Sequence, residues 1–351
     1  MRFISAEKLE PGMVVGRTLY NGMSILLNSG VMLTESYINA VRRININGIY
    51  IEDDQTKDIE IKPLIDDEVK VAFTKKVEEI FTSTQPKIRS ADTKFEDVVK
   101  NIIEQIVSKS NHVVNMFELK VVDNYTFQHS IDVCILSVVM GINKQLKYSL
   151  LYDLALAAVY HDIGKMHINQ RILEKRGPLT ASEYAEIKEH PVLGVEHIKK
   201  MGIKQSHILT GILHHHERYD GTGYPNALTD QKISLFGKII AIADVFDAIV
   251  SERPYKHAMP PSEAVEYIMA NANQHFDMEV SKLFISSVAA YPVGVTVRLS
   301  NGNIGVVAEN YSGYTLRPLV KLLPDSPEDT PVYINLKDDV NAQNITILGI
   351  V

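Results

Sequence analysis

The run YSLLYDLALAAVYHDIGK, residues 148–165, is rich in alanine and leucine. It is as apolar as a helix buried on most sides must be. Yet it closes on the adjacent pair His161 and Asp162. Burying a carboxylate beside an imidazole is costly unless both are paired or bound to a metal. A chain that ends a core helix this way has to organise its interior around a polar centre. Other histidines and aspartates lie in comparable settings: His129 in FQHSIDV, His190 in KEHPVLG, the triplet His214, His215 and His216 in LHHHERYDGTGYP, and Asp244 in IADVFDA. Any one of them alone reads as an ordinary core or surface residue. The full set, embedded in apolar helices, does not.

The helical texture extends from about residue 95 to 290, with different textures on either side. The first fifty-odd residues hold short β-branched runs broken by Asn-Gly and Ser-Gly, which signal hairpin turns. ESYINAVRRI then reads as a helix and NGIYIEDD as a strand. Residues 53–93 turn polar and charged, but Val69, Val71, Phe73, Val77, Ile80 and Phe81 recur at helical spacing. FEDVVKNIIEQIVSKSNHVVNMF is strongly periodic as well. Beyond Tyr291-Pro292, apolar and polar residues alternate around Asn-Gly and Ser-Gly, as in a small β-domain. The expected organisation is a mainly α protein: a small α+β domain over 1–55, a charged, helical connector over 56–104, an all-helical domain over 105–290 and a small β-domain over 291–351. A chain of 351 residues suits about two or three domains.

Composition narrows the function classes. The formal net charge of −7 gives no global basic field for nucleic acid or an anionic membrane. The one cysteine, Cys134, lies in the apolar run IDVCILSVVMGI and reads as core packing in a reducing compartment. MRFISAEKLEPGM lacks the layout of a signal peptide, and no apolar run approaches the ~20 residues of a spanning helix. The expectation is a cytoplasmic protein without a membrane span.

Histidine nitrogen with carboxylate oxygen suits Mn, Fe, Zn or Ni, and the ligand types alone do not choose among them. An aspartate has two oxygens and can bridge two metals. Two ions about 3.5–4 Å apart can activate water and stabilise charge on a phosphoryl group. That chemistry hydrolyses a phosphate ester and needs no serine or cysteine nucleophile.

Taken in order, HSIDV, HDIGK, EHPVLG, HHERYDGTGYP and IADVFDAIVSERPYK resemble the HD-GYP domain. This is a bacterial signalling branch of the HD phosphohydrolase superfamily that hydrolyses cyclic di-GMP. The likeness covers roughly residues 105–290. HD alone is a weak motif, whereas the ordered series is highly specific. The resemblance implies a binuclear metal centre, with iron or manganese favoured and zinc or nickel open. It implies His129, His161, Asp162 and Asp244 on one metal and Asp162, His190, His215 and His216 on the other, with Asp162 bridging. Neighbours on a helix point about 100° apart, so three in a row cannot converge equally on one metal; the resemblance selects His215 and His216 and leaves His214 as a flanking residue.

Lys165 matches the family's lysine after the HD pair and is expected to contact phosphate and assist the reaction beside Asp162. Arg253 and Lys256 match substrate-phosphate contacts, a role for which arginine is geometrically suited. The turn Gly221-Thr222-Gly223-Tyr224-Pro225 is intact; in the family it borders the active site and has been linked to diguanylate cyclase domains. Some members carry a glutamate four residues before the first histidine that supports a third metal. Here that position is Tyr125, which favours two metals and pGpG as product, with GMP as the further step. The implied activity is a metal-dependent cyclic di-GMP phosphodiesterase. The competing readings are a non-catalytic cyclic di-GMP receptor and an HD hydrolase of another nucleotide. The apolar stripes between residues 66 and 120 suit either a homodimer or packing within the chain.

Overall fold

The computed structural model describes residues 1–21, 24–44, 46, 48–82, 93–109, 111–119, 125–251, 258–323 and 330–351. Strand β1 (Arg2–Ser5), β2 (Val14–Val15), the antiparallel pair β3 (Leu19–Asn21) and β4 (Ser24–Leu27), helix α1 (Glu35–Arg43) and β5 (Gly48–Glu52) form the N-terminal α+β unit. Its three-stranded sheet runs β1-β5-β2, with β5 antiparallel to both neighbours. Thr34 caps α1 by accepting the Tyr37 N–H, and Ile38 and Val41 turn inward. They join Leu9, Val15, Leu33, Ile49 and Ile51 in a small core of their own.

The two amphipathic stretches that follow are α2 (Asp67–Phe81) and α3 (Thr93–Ser108). The segment expected as a charged connector sends its apolar side into the main core through Phe73, Val77, Val99, Ile102 and Ile103. A short α4 (Met116–Leu119) precedes the longest helix of the described residues, α5 (Tyr125–Asn143), which pairs with α6 (Tyr148–Val159). Both are apolar nearly all round, and Cys134 is fully buried between such neighbours as Ile131 and Val138. Burial alone pushes its thiol pKa well up, so it stays protonated and inert.

A 3₁₀ turn (Ile163–His167), α7 (Gln170–Leu173) and α8 (Ala181–Ile187) lead into α9 (His190–Lys200) and α10 (Ser206–His214). Helix α11 (Leu235–Val250) packs on α5 and α10, and α12 (Pro261–Ala270) and α13 (Met278–Ser287) close the bundle. Pro261 occupies the first position of α12, where its missing N–H costs nothing. Strands β6 (Thr296–Leu299), β7 (Ile304–Glu309), β8 (Leu319–Leu322), β9 (Tyr333–Asn335) and β10 (Ile347–Ile350) form an antiparallel sheet ordered β10-β6-β7-β8-β9. The fold is therefore a helical core flanked by a small α+β unit and a small β unit. Among the described residues no helix is long and apolar enough to cross a membrane.

Candidate metal centre

Five helix ends or faces converge on one buried point. Helix α5 brings His129. The chain leaving α6 brings His161 and Asp162, the start of α9 brings His190, the end of α10 brings His215 and His216, and α11 brings Asp244. The ligand-type atoms fall into two groups, Asp162 with His190, His215 and His216, and His129 with His161 and Asp244; within each they lie within 4.8 Å of one another. Asp162 faces both groups. Its Oδ1 is 3.2 Å from His190 Nε2 and 3.9 Å from His215 Nε2. Its Oδ2 is 3.4 Å from His161 Nε2 and 4.0 Å from His129 Nε2.

Three of these histidines are fixed by one local device. The Nδ1 of His161 lies 2.7 Å from the Ala158 carbonyl, that of His190 2.7 Å from Ile187 and that of His215 2.6 Å from Ile212. A carbonyl only accepts, so each Nδ1 carries the proton and donates it three residues back. Each Nε2 then presents a bare lone pair to the centre. His190 Nε2 and His215 Nε2 are 3.2 Å apart, and burial, reinforced by His216, His161 and His190, holds His215 well below the usual imidazole range. Acceptors thus face acceptors. Asp162 Oδ1 and His161 Nε2 are buried without a hydrogen-bond partner. An orphaned buried acceptor costs about 1–3 kcal/mol. A divalent cation is the group that satisfies the facing lone pairs of His161, His190, His215 and Asp162 Oδ1, and the residues fit one.

His129 is held differently. Its Nδ1 is 2.7 Å from Asp247 Oδ2 and its Nε2 3.1 Å from Asp244 Oδ1. Burial opposes its charged form, but the two carboxylates outweigh burial and raise its pKa to about 10. Asp247 is almost wholly buried, and its other oxygen accepts the Ser251 hydroxyl at 3.3 Å. Sequence reasoning quoted Asp247 within IADVFDA but gave it no role. The available signal was its position three residues after Asp244, on the same face of α11.

Lys165 donates to Asp162 Oδ2 while about a third of its side chain stays exposed. Helix α6 ends at Val159, so the two residues are not on one α-helix; they meet because residues i and i+3 eclipse in the 3₁₀ turn. Burial would raise the Asp162 pKa, but Lys165, His161 and His190 hold it well below the carboxylate range. Burial lowers His216 to about 3, which keeps its ring neutral. Its ring stacks on Tyr224 at 4.7 Å between centroids.

His214 belongs to neither group. Its Nδ1 accepts the Ser234 N–H at 3.1 Å, at the start of α11. Glu217, also unassigned from sequence, is buried and accepts the N–H groups of Asn226 and Leu228 at 2.7 and 2.9 Å. It thereby pins the far limb of the Gly-Tyr-Pro turn. Tyr224 N–H donates to the His216 carbonyl, and a Cβ on Gly223 would meet Arg218 N at 2.3 Å, so this close return of the chain requires glycine. Arg253 and Lys256 lie outside the described residues, as does the Tyr125 side chain.

A family model described as HD domain matches residues 101–280. A cyclic di-GMP phosphodiesterase of Pseudomonas aeruginosa is 38% identical over 67% of this chain and 57% of its own length. The cyclic di-GMP phosphodiesterase PdeB of Borreliella burgdorferi is 31% identical over 53% and 49%. A 3'3'-cGAMP-specific phosphodiesterase of Vibrio cholerae is 32% identical over 51% and 45%. The chain thus spans about half the length of these curated relatives. A solved structure, an HDG"Y"P protein from Bdellovibrio bacteriovorus, shares the fold with a TM-score of 0.50 at 18% identity, over 80% of this chain and 97% of that one. With half the chain matched, and the HD pair at the centre of the converging ligands, the chain belongs to the HD domain family.

Proposed function

We propose that this chain is a metal-dependent phosphodiesterase that opens cyclic di-GMP to pGpG, with GMP as a further product. The observation that carries the reading is the convergence of six histidine and aspartate side chains around Asp162, whose two oxygens face separate groups and whose Oδ1 meets bare imidazole nitrogens. It is supported by relatives named for this activity. His129, His161, Asp162 and Asp244 would hold one metal and Asp162, His190, His215 and His216 the other, with iron or manganese favoured. The ions would supply charge stabilisation for the phosphoryl group and acidify a water that serves as nucleophile.

The chain's own residues complete the site. Lys165, tethered to Asp162 yet partly exposed, sits where it can donate to a phosphate oxygen as charge develops. Burial keeps the Tyr224 phenol protonated, so it serves as a hydrogen-bond donor and an apolar wall rather than a base. Arg253 and Lys256 would add phosphate contacts, a role supported only by the resemblance of ERPYK to the family. The catalytic unit is 105–290, and α2 and α3 complete its core.

The likeness to a cyclic GMP-AMP-specific relative favours a second reading in which the mixed dinucleotide is the substrate. Turnover of the two dinucleotides by protein purified without exposure to air, followed by product analysis, separates them. Faster hydrolysis of cyclic di-GMP supports the first reading. Hydrolysis of the mixed dinucleotide alone replaces it with the second.

A further inference from the structure

Residues 168–189 form an excursion that carries α7 and α8. It leaves the turn that carries Asp162 and Lys165 and returns directly into α9, whose first residue is His190. Both of its ends are therefore anchored at the site, and Ile187 near its far end is bonded to His190. The excursion is well tied down. Asn169 N–H donates to Glu186 Oε1 at 3.0 Å. Thr180 and Glu183 form a reciprocal cap at the start of α8. Lys175 reaches both Glu183 oxygens at 2.8 and 2.6 Å. The carbonyl of Ile187, the last residue of α8, accepts the hydrogen bond from His190 Nδ1.

On this anchored excursion Tyr184 leaves half of its surface to solvent, 50%. Lys188, one helical turn further on, holds its ammonium 5.2 Å from the centre of the Tyr184 ring. Lys188 stands two residues before His190, whose ring centre lies 6.4 Å from that of Tyr224, the ring stacked on His216. An exposed aromatic capped by a cation adds little to a core, but beside a phosphodiester site it offers a π-face and a hydrogen-bond donor together.

We infer that Tyr184 and Lys188 form a platform for one purine base of the cyclic dinucleotide, Tyr184 by stacking and Lys188 by donating to the base edge. This rests on the phosphodiesterase reading of the site. Stacking accepts any base. An ammonium has only donors, so it favours guanine, with acceptors at both O6 and N7, over adenine, which places a donor beside N7.

The test uses the full metal-loaded chain. It measures the Kd of a hydrolysis-resistant phosphorothioate analogue of cyclic di-GMP, alongside turnover of cyclic di-GMP and metal content. Tyr184→Ala is expected to weaken Kd about 5- to 150-fold, the range of base–aromatic stacking. Metal content and kcat should stay near wild type, and Tyr184→Phe should restore the affinity. Lys188→Met should narrow the preference for guanine over adenine when the mixed cyclic GMP-AMP is compared. An unchanged Kd in Tyr184→Ala overturns the platform. So does loss of metal in that variant, which would mean that α8 only positions His190. Wild-type protein that binds the analogue through Tyr184 yet turns over nothing keeps the platform and sinks the hydrolytic reading.

Discussion

Asp247 and His214 show how differently two buried polar side chains beside one centre can be employed. Asp247 holds His129 Nδ1 and so fixes which nitrogen faces Asp244. Replacing it with asparagine keeps the shape but removes the charge that orients and polarises the ring. We expect Asp247→Asn to weaken metal binding by about 10- to 100-fold, the usual effect of losing such an outer partner. Chelator competition measures it, and an unaltered affinity would remove Asp247 from the account. His214 instead accepts one backbone N–H at the head of α11. His214→Ala should leave metal content and turnover near wild type while costing about 1–3 kcal/mol of stability in denaturant titration, from one orphaned N–H. Severe loss of metal in this variant would place the ligand register one residue earlier. The residues that converge were readable because histidine and aspartate are conspicuous inside apolar helices and because their order resembles the HD-GYP series. Asp247 and Glu217 were not, because an acidic residue on a helix or after a histidine looks the same whether it faces solvent, a ring nitrogen or two loop amides.

The elements matter through where they stop. Helix α6 ends two residues before His161, and the tighter turn that follows brings Lys165 back over Asp162. That turn packs hard against the start of α9. A Cβ on Gly164 would lie 1.9 Å from the His190 carbonyl and 2.6 Å from Gly194 N. The glycine of HDIGK is thus needed for close approach of two ligand-bearing backbones. Gly164→Ala should separate them, lower Tm and reduce metal content together, at a cost of about 1–3 kcal/mol or more for overpacking. A fully metallated, equally stable variant would show that the approach is not required. Periodicity made most helices legible, including α1, α2 and α3. It did not reveal the 3₁₀ turn at Ile163–His167, which packs against α9.

At the scale of the molecule, the units are joined by specific contacts. Phe3 stacks on Phe117 at 4.1 Å between ring centres, and its N–H donates to the Gly294 carbonyl. Arg17 forks onto Asp67 at 2.6 and 3.3 Å, tying the N-terminal unit to α2. Asp58 accepts from both Lys321 and Tyr333 of the C-terminal sheet. The change of texture along the sequence announced the α+β, helical and β stretches, but not these contacts, which join residues far apart in the chain. Nor did charge reveal that residues 56–104 contribute a wall of the core, because only one face of each helix is apolar.

The account turns on a single centre in which Asp162 joins two groups of ligands. The decisive measurement is metal content and cyclic di-GMP turnover on the same air-free sample, for wild type and for Asp162→Asn. The account predicts two metal ions per chain with turnover in the wild type, and loss of both bound metal and turnover in the variant. Turnover that survives in Asp162→Asn, or a fully metallated wild type that binds the dinucleotide without hydrolysing it, would contradict it.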